Sequence, residues 1–188
     1  MKKEIQFCIE QELLIQMKAQ TLGTSNLHVL QIGYGTMAIG GPRDYTPNSA
    51  IFRSAGLRVL EIQLDASSDL FDHADIYCKG NSEEVFADFW RGASYLCQQI
   101  QVQTECEFRF GSLHRFACSC EQIIAFVQSR LKSFSTDYIN ALLVHRLASI
   151  VEPEEVARAF DDLKQSGEVR WYGVSNYTAS QPTAPENI

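Results

Sequence analysis

Short apolar runs alternate with longer amphipathic stretches along this chain. Residues 27–34 (LHVLQIGY) form a compact apolar run that leads into Gly33-Tyr34-Gly35 and predicts a strand. Over 48–66, Ile51, Leu57, Leu60, Ile62 and Leu64 recur with an imperfect helical period. Leu70-Phe71-Asp72 predicts a second strand, and Asn81-Ser82-Glu83-Glu84 opens a second helix after a polar loop. There Asn81 or Ser82 suits the N-cap, and the two glutamates suit the positive end of the helix.

The alternation continues. Residues 100–104 predict a strand, followed by a loop containing Gly111. A helix over about 119–133 places Ile123, Ile124, Val127 and Leu131 on one face. Residues 138–144 (YINALLV) are almost continuously apolar, as in a strand buried on both faces of a parallel sheet. A helix over about 153–165 carries Val156, Phe160 and Leu163 on one stripe, with Pro153 in its first turn and Gly167 as its stop. Residues 168–174 (EVRWYGV) predict a fifth strand. Five strands separated by four helices imply an α/β fold with a parallel sheet and crossover helices. The pattern fits an open doubly wound sheet and a (β/α)₈ barrel equally.

Composition narrows function more than fold. With 188 residues, 45% hydrophobic and 21% charged, the chain can bury one sizeable core and reads as a single domain. A formal charge of −7 argues against a nucleic-acid partner and against adhesion to an anionic membrane. No apolar run reaches the roughly 18 residues of a membrane span. Glu4, Glu10 and Glu12 interrupt any secretory apolar segment at the N-terminus, so a cytoplasmic protein is expected. The six cysteines are scattered, and Cys118 and Cys120 are too close for zinc-like spacing. Reduced thiols and no metal site are therefore expected. No repeat or low-complexity tract stands out.

Residues 71–84, FDHADIYCKGNSEE, closely resemble the aldo-keto reductases, which carry Phe-Asp-x-Ala-x-x-Tyr followed by a Gly and a Ser-Glu-Glu stretch. TLG at 21–23 and GYGTMAIGG at 33–41 look like that family's opening hairpin and first barrel strand. TDYINALLVHR at 136–146 looks like its fourth strand, and residues 151–177 look like its fourth helix and fifth strand. The likeness covers roughly residues 20 to 181, with several motifs in family order. It implies a parallel (β/α)₈ barrel of TIM type, with about five of the eight βα units present and the site at the C-terminal ends of the strands. On this basis 1–16 is an N-terminal extension, 17–181 a partial barrel domain and 182–188 a polar tail.

The resemblance also implies a chemistry. Family members bind NADPH and pass its hydride to an aldehyde or ketone, so a small carbonyl compound is the expected substrate. By motif position Tyr77 is the proton donor, Asp72 its supporting carboxylate and His145 the imidazole that orients the carbonyl. Ser175 and Asn176 match the pair that hydrogen-bonds the nicotinamide carboxamide. Gly35, Thr36 and Met37 match the loop lying against the cofactor. One residue departs from the pattern. Where the family has Thr-Lys-Cys, this chain has Thr104-Glu105-Cys106, so an acid stands in place of the lysine. Two carboxylates in a partly desolvated site raise one another's pKa and that of the phenol. Loss of one member of such an acid–base unit costs roughly 10²–10⁴ in rate, so little or no reductase activity is expected. The family's phosphate-binding segments follow its seventh and eighth strands, beyond the five found here, so a truncated protein is expected, with sheet edges open to self-association. The alternative from another class is a non-catalytic protein: a pseudoenzyme, a binding or regulatory subunit, or an inert fragment.

Overall fold

The computed structural model describes residues 18–42, 49–92, 99–106, 119–145 and 153–178. Five strands form one parallel sheet: β3 (Tyr34–Gly35), β4 (Leu70–Ala74), β5 (Gln101–Cys106), β6 (Ile139–Val144) and β7 (Val169–Val174). Each pairs with the strand before it, so spatial order equals chain order. A doubly wound sheet must reverse its strand order at a switch point. This one never reverses, which is the winding of a (β/α)₈ barrel with five of its strands in place.

The four helices are α1 (Ala50–Asp65), α2 (Asn81–Gly92), α3 (Cys120–Phe134) and α4 (Pro153–Ser166). They follow the expected stretches closely. α2, α3 and α4 each bury an apolar stripe. By contrast, α1 buries only Gly56 and Leu60 and leaves Ile51 and Ile62 exposed, as its imperfect period allows. Ser49 caps α1 by accepting from the Phe52 amide, and Ser119 forms a full capping box with Gln122 on α3. Gly167, at φ +81, ends α4 in the left-handed conformation that glycine adopts without penalty.

Between sheet and helices lie two clusters. Under α1 and α2, Phe71, Phe86, Phe89, Trp90 and Phe134 are almost fully buried around an aromatic knot, with Phe71 and Phe86 ring centroids 5.6 Å apart. Under α3 and α4 the packing is mainly aliphatic, from Ile123, Val127, Ile139, Leu142, Leu163 and Val169. β6 is buried along nearly its whole length, as its apolar run predicts.

The expected strand over 27–34 divides in two. His28–Leu30 (β2) pairs antiparallel with Ala19–Thr21 (β1) in a separate hairpin, and only Tyr34–Gly35 joins the barrel sheet. Ile32 between them is 63% exposed. Hydrophobic periodicity cannot register a change of partner between two segments that are both extended. The Leu30 amide donates to the Asp69 carboxylate, and the Trp171 indole donates to Asn26 at 3.0 Å, which seats the hairpin against the strands.

Candidate active site

Side chains alternate across a strand, so a parallel sheet coated with helices sends every second residue to its other face. In β4, Phe71 and His73 are fully buried toward the helices, leaving Asp72 between them on the opposite face. Registry pairs Asp72 with Gln103 and Ala74 with Glu105, so Gln103 and Glu105 share that face. Asp72 lies within β4 rather than at its end, because the strand continues to Ala74.

Those side chains meet. The Tyr77 hydroxyl donates to Asp72 Oδ2 at 3.3 Å, and Gln103 Nε2 donates to Asp72 Oδ1 at 2.7 Å. His145 Nε2 lies 3.2 Å from Glu105 Oε2, and Glu105 also takes the Ser175 hydroxyl. Asn176 Nδ2 donates to the His145 carbonyl at 2.9 Å and to Ser175 Oγ at 3.0 Å. Asp72, Tyr77, Glu105, His145, Ser175 and Asn176 thus converge at one rim, carried by β4, β5, β6 and β7 and the segments that follow them.

Burial pushes the Glu105 carboxyl above its usual range, and Asp72 adds to the rise, while the Ser175 bond and His145 oppose it. Burial likewise raises Asp72, against the bonds from Gln103 and Tyr77 and the nearby His145. The Tyr77 phenol is raised well above its ordinary value by burial, then by Asp72 and Glu105. Among the described residues, His145 is the sole basic side chain in ion-pair contact with either carboxylate. The site is rich in acceptors and poor in positive charge.

The loop after β3 is held from below. The Thr36 hydroxyl donates to the Asp72 carbonyl at 2.8 Å and meets His73 Nδ1 at 2.9 Å. Because that hydroxyl proton is used, Nδ1 must be the donor to it. Burial lowers the His73 pKa to about 3, so the ring stays neutral between Phe86 and Phe134. A Cβ on Gly35 would meet nothing within 4 Å, and Met37 is 40% exposed. One face of the Gly35–Met37 segment is therefore open.

Ser82, expected as an N-cap, is used differently. Its hydroxyl accepts the Gly40 amide and donates to the Met37 carbonyl, because α2 runs on directly from a tight turn at Tyr77–Gly80. The acidic start of α4 is only partly solvated, since Glu155 accepts the Cys120 amide at 3.2 Å. Cys78, Cys106 and Cys120 are buried and form no disulfide among the described residues. The remaining cysteines, Gly111, His114, the 1–16 extension and the 182–188 tail lie outside the described residues. No described helix is long and apolar enough to cross a membrane.

Two features escaped the sequence. Gln103 was legible in principle, since it stands two residues before Glu105 on the same face of a strand. The second, Glu83 of α2 paired at 2.9 Å with Arg130 of α3, joins residues 47 positions apart, and no local spacing reports it.

Residues 31–183 match the family model described as the aldo/keto reductase family. The oxidoreductase YcsN of Bacillus subtilis is 36% identical over 132 residues, which is 66% of this chain and 44% of that protein. A rice protein named "Probable voltage-gated potassium channel subunit beta" is 25% identical over 168 residues, 89% of this chain and 49% of its own length. The holo form of aldo-keto reductase AKR11C1 from Bacillus halodurans superposes with a TM-score of 0.71 at 29% identity, covering 85% of this chain and 50% of that one. The chain spans about half the length of the curated relatives it matches.

Proposed function

Because the chain belongs to the aldo/keto reductase family, we propose that its site is that of an NADPH-dependent reductase of aldehydes or ketones, with the chemistry impaired by Glu105. The observation that carries this is the meeting of phenol, two carboxylates and imidazole at one rim, with Tyr77 on Asp72 and His145 on Glu105.

The residues present suit a nicotinamide. Both Asn176 amide protons are used, and no described contact takes its Oδ1, which leaves an acceptor for a carboxamide N–H. The open face of Gly35 and the exposed Met37 leave room alongside. When bound, the cofactor supplies a hydride. Ser175 and Asn176 would hold its carboxamide end, and Gly35, Thr36 and Met37 would line it.

Tyr77 carries the one proton a developing alkoxide would require, but its hydroxyl donates that proton to Asp72 and would have to turn from it to serve a substrate. Glu105 also works against that transfer. Giving up its proton would leave Tyr77 as a phenolate facing two carboxylates, so the phenol is a weak acid here. His145 Nε2, the nitrogen suited to orient a carbonyl, already faces Glu105.

That same contact favours a second function, a non-catalytic subunit that retains the fold and the cofactor without turnover. The name of the rice relative, a channel β subunit, is consistent with such a role. A fluorescence titration with NADPH, followed by absorbance at 340 nm after adding a generic aldehyde, separates the two. Binding with slow, aldehyde-dependent oxidation supports an impaired reductase, and binding without oxidation supports the subunit. Absence of binding removes the cofactor assignment altogether.

A further inference from the structure

Two adjacent non-glycine residues, Cys78 (φ 48, ψ 36) and Lys79 (φ 55, ψ 36), occupy the left-handed region directly after Tyr77. Side chains are seldom found there, and strain of this kind persists only where surrounding contacts over-determine it. The contacts that do so run to one place. The Cys78 thiol is 5% exposed and lies 3.2 Å from the Met37 carbonyl and 3.1 Å from the Gly41 carbonyl, so its one proton has an acceptor in either direction. Ser82, four residues on, accepts the Gly40 amide at 3.2 Å and donates to the Met37 carbonyl at 3.4 Å.

The packing leaves the loop little room to move. A Cβ on Gly40 would come within 2.4 Å of the Ser82 backbone nitrogen, and one on Gly56 of α1 within 2.4 Å of the Ile39 carbonyl oxygen. At its start, the loop is tied to β4 by the Thr36 amide and hydroxyl, both on the Asp72 carbonyl. The segment from Thr36 to Gly41 is therefore clamped between α1, the middle of β4 and the strained turn. Cys78 is the residue that carries both the strain and the bonds to the far end of the loop.

We propose that Cys78 is a positioning residue whose thiol fastens the turn bearing Tyr77 to the Thr36–Gly41 loop, so that the two segments move as one body. It touches neither Asp72 nor Glu105 in any described contact, and it acts through Tyr77. On the function proposed above, this fastening holds the phenol at a set distance from the cofactor-lining segment. The fastening itself does not depend on that function.

Hydrogen–deuterium exchange of the whole chain tests it through two variants. Cys78→Gly removes the thiol while easing the left-handed backbone, so it deletes the bonds without adding strain. Cys78→Ser keeps a donor of similar size at the same place. Losing a buried hydrogen bond corresponds to about a tenfold change. The Ile39, Gly40 and Lys79 amides should therefore exchange about tenfold faster in Cys78→Gly and close to the wild-type rate in Cys78→Ser. Amides of α3 and α4 should not change in either variant. Unchanged exchange at Ile39 and Gly40 in Cys78→Gly overturns the proposal, as does a serine variant as fast as the glycine one. A parallel NADPH titration should show affinity about tenfold weaker in Cys78→Gly and restored in Cys78→Ser. If the wild-type chain binds no NADPH, the cofactor assignment falls alone, and exchange still decides the fastening.

Discussion

Glu83 and Glu105 are the same residue type at almost the same exposure, 3% and 7%, and burial raises the pKa of both carboxyls. Their partners differ. Glu83 sits between α2 and α3, opposite the Arg130 guanidinium at 2.9 Å, with Asp75 as a second acid nearby. Glu105 sits on the inner face of β5 opposite His145 at 3.2 Å, with Asp72 as the second acid. A guanidinium is charged at every pH a protein meets, whereas an imidazole is charged only when protonated. In the first pair the cation is fixed and only the Glu83 carboxyl, raised to about 7 by burial, titrates. The second stands at a rim with a phenol and an amide, on the face of the sheet away from the helices. Burial alone does not separate a structural acid from one in a chemical site; the partner and the face of the fold do.

The largest expected effect comes from giving the rim a permanent cation. Glu105→Lys should raise aldehyde-dependent NADPH oxidation by roughly 10²–10⁴, and adding Tyr77→Phe to it should abolish the gain. Equal rates for Glu105→Lys and the parent chain would sink the role assigned to Glu105. At the other acid, Arg130→Ala leaves a buried carboxyl without its cation and should cost about 3 kcal/mol, measured by urea unfolding at pH 8. A loss no larger than that of an exposed arginine such as Arg58 would mean that the helix pair holds nothing together.

A smaller effect sharpens the contrast through pH. The folded-state pKa of Glu83 is raised to about 7 from an ordinary 4.5. A raised pKa means that folding favours the protonated form. Its contribution to stability is therefore full below about 4.5 and is lost as pH rises through 7. Glu83→Gln should flatten the fall in thermal midpoint between those limits, and an unchanged slope would assign the fall to other groups. Smallest of all, Tyr77→Phe in the parent chain should leave aldehyde-dependent oxidation near its low starting rate, because the phenol already faces two carboxylates and is a weak acid. A large drop would show that Tyr77 still delivers its proton despite Glu105.

Much of this was legible in one dimension. The stripes of α3 and α4 and the apolar run of β6 announce themselves because each element meets its core with a fixed period. The motif around Asp72 and Tyr77 was readable because those residues lie five apart on one continuous segment. The division of 27–34 into a hairpin strand and a barrel strand was not readable, since both halves are extended and only their partners differ. The duty of Ser82 also went unseen, because its partners at Met37 and Gly40 belong to another loop.

By itself the chain of residues determined the alternation of strand and helix, the family of the fold, and the presence of an acid where the pattern has a base. Those are properties of neighbours and of spacing along a covalent chain. Tertiary structure alone decided that His145 turns to Glu105, that Gln103 supports Asp72, and that Arg130 pairs with Glu83. Each of those pairs joins segments far apart in sequence, and only the stacking of consecutive strands and helices brings their side chains within a few ångströms.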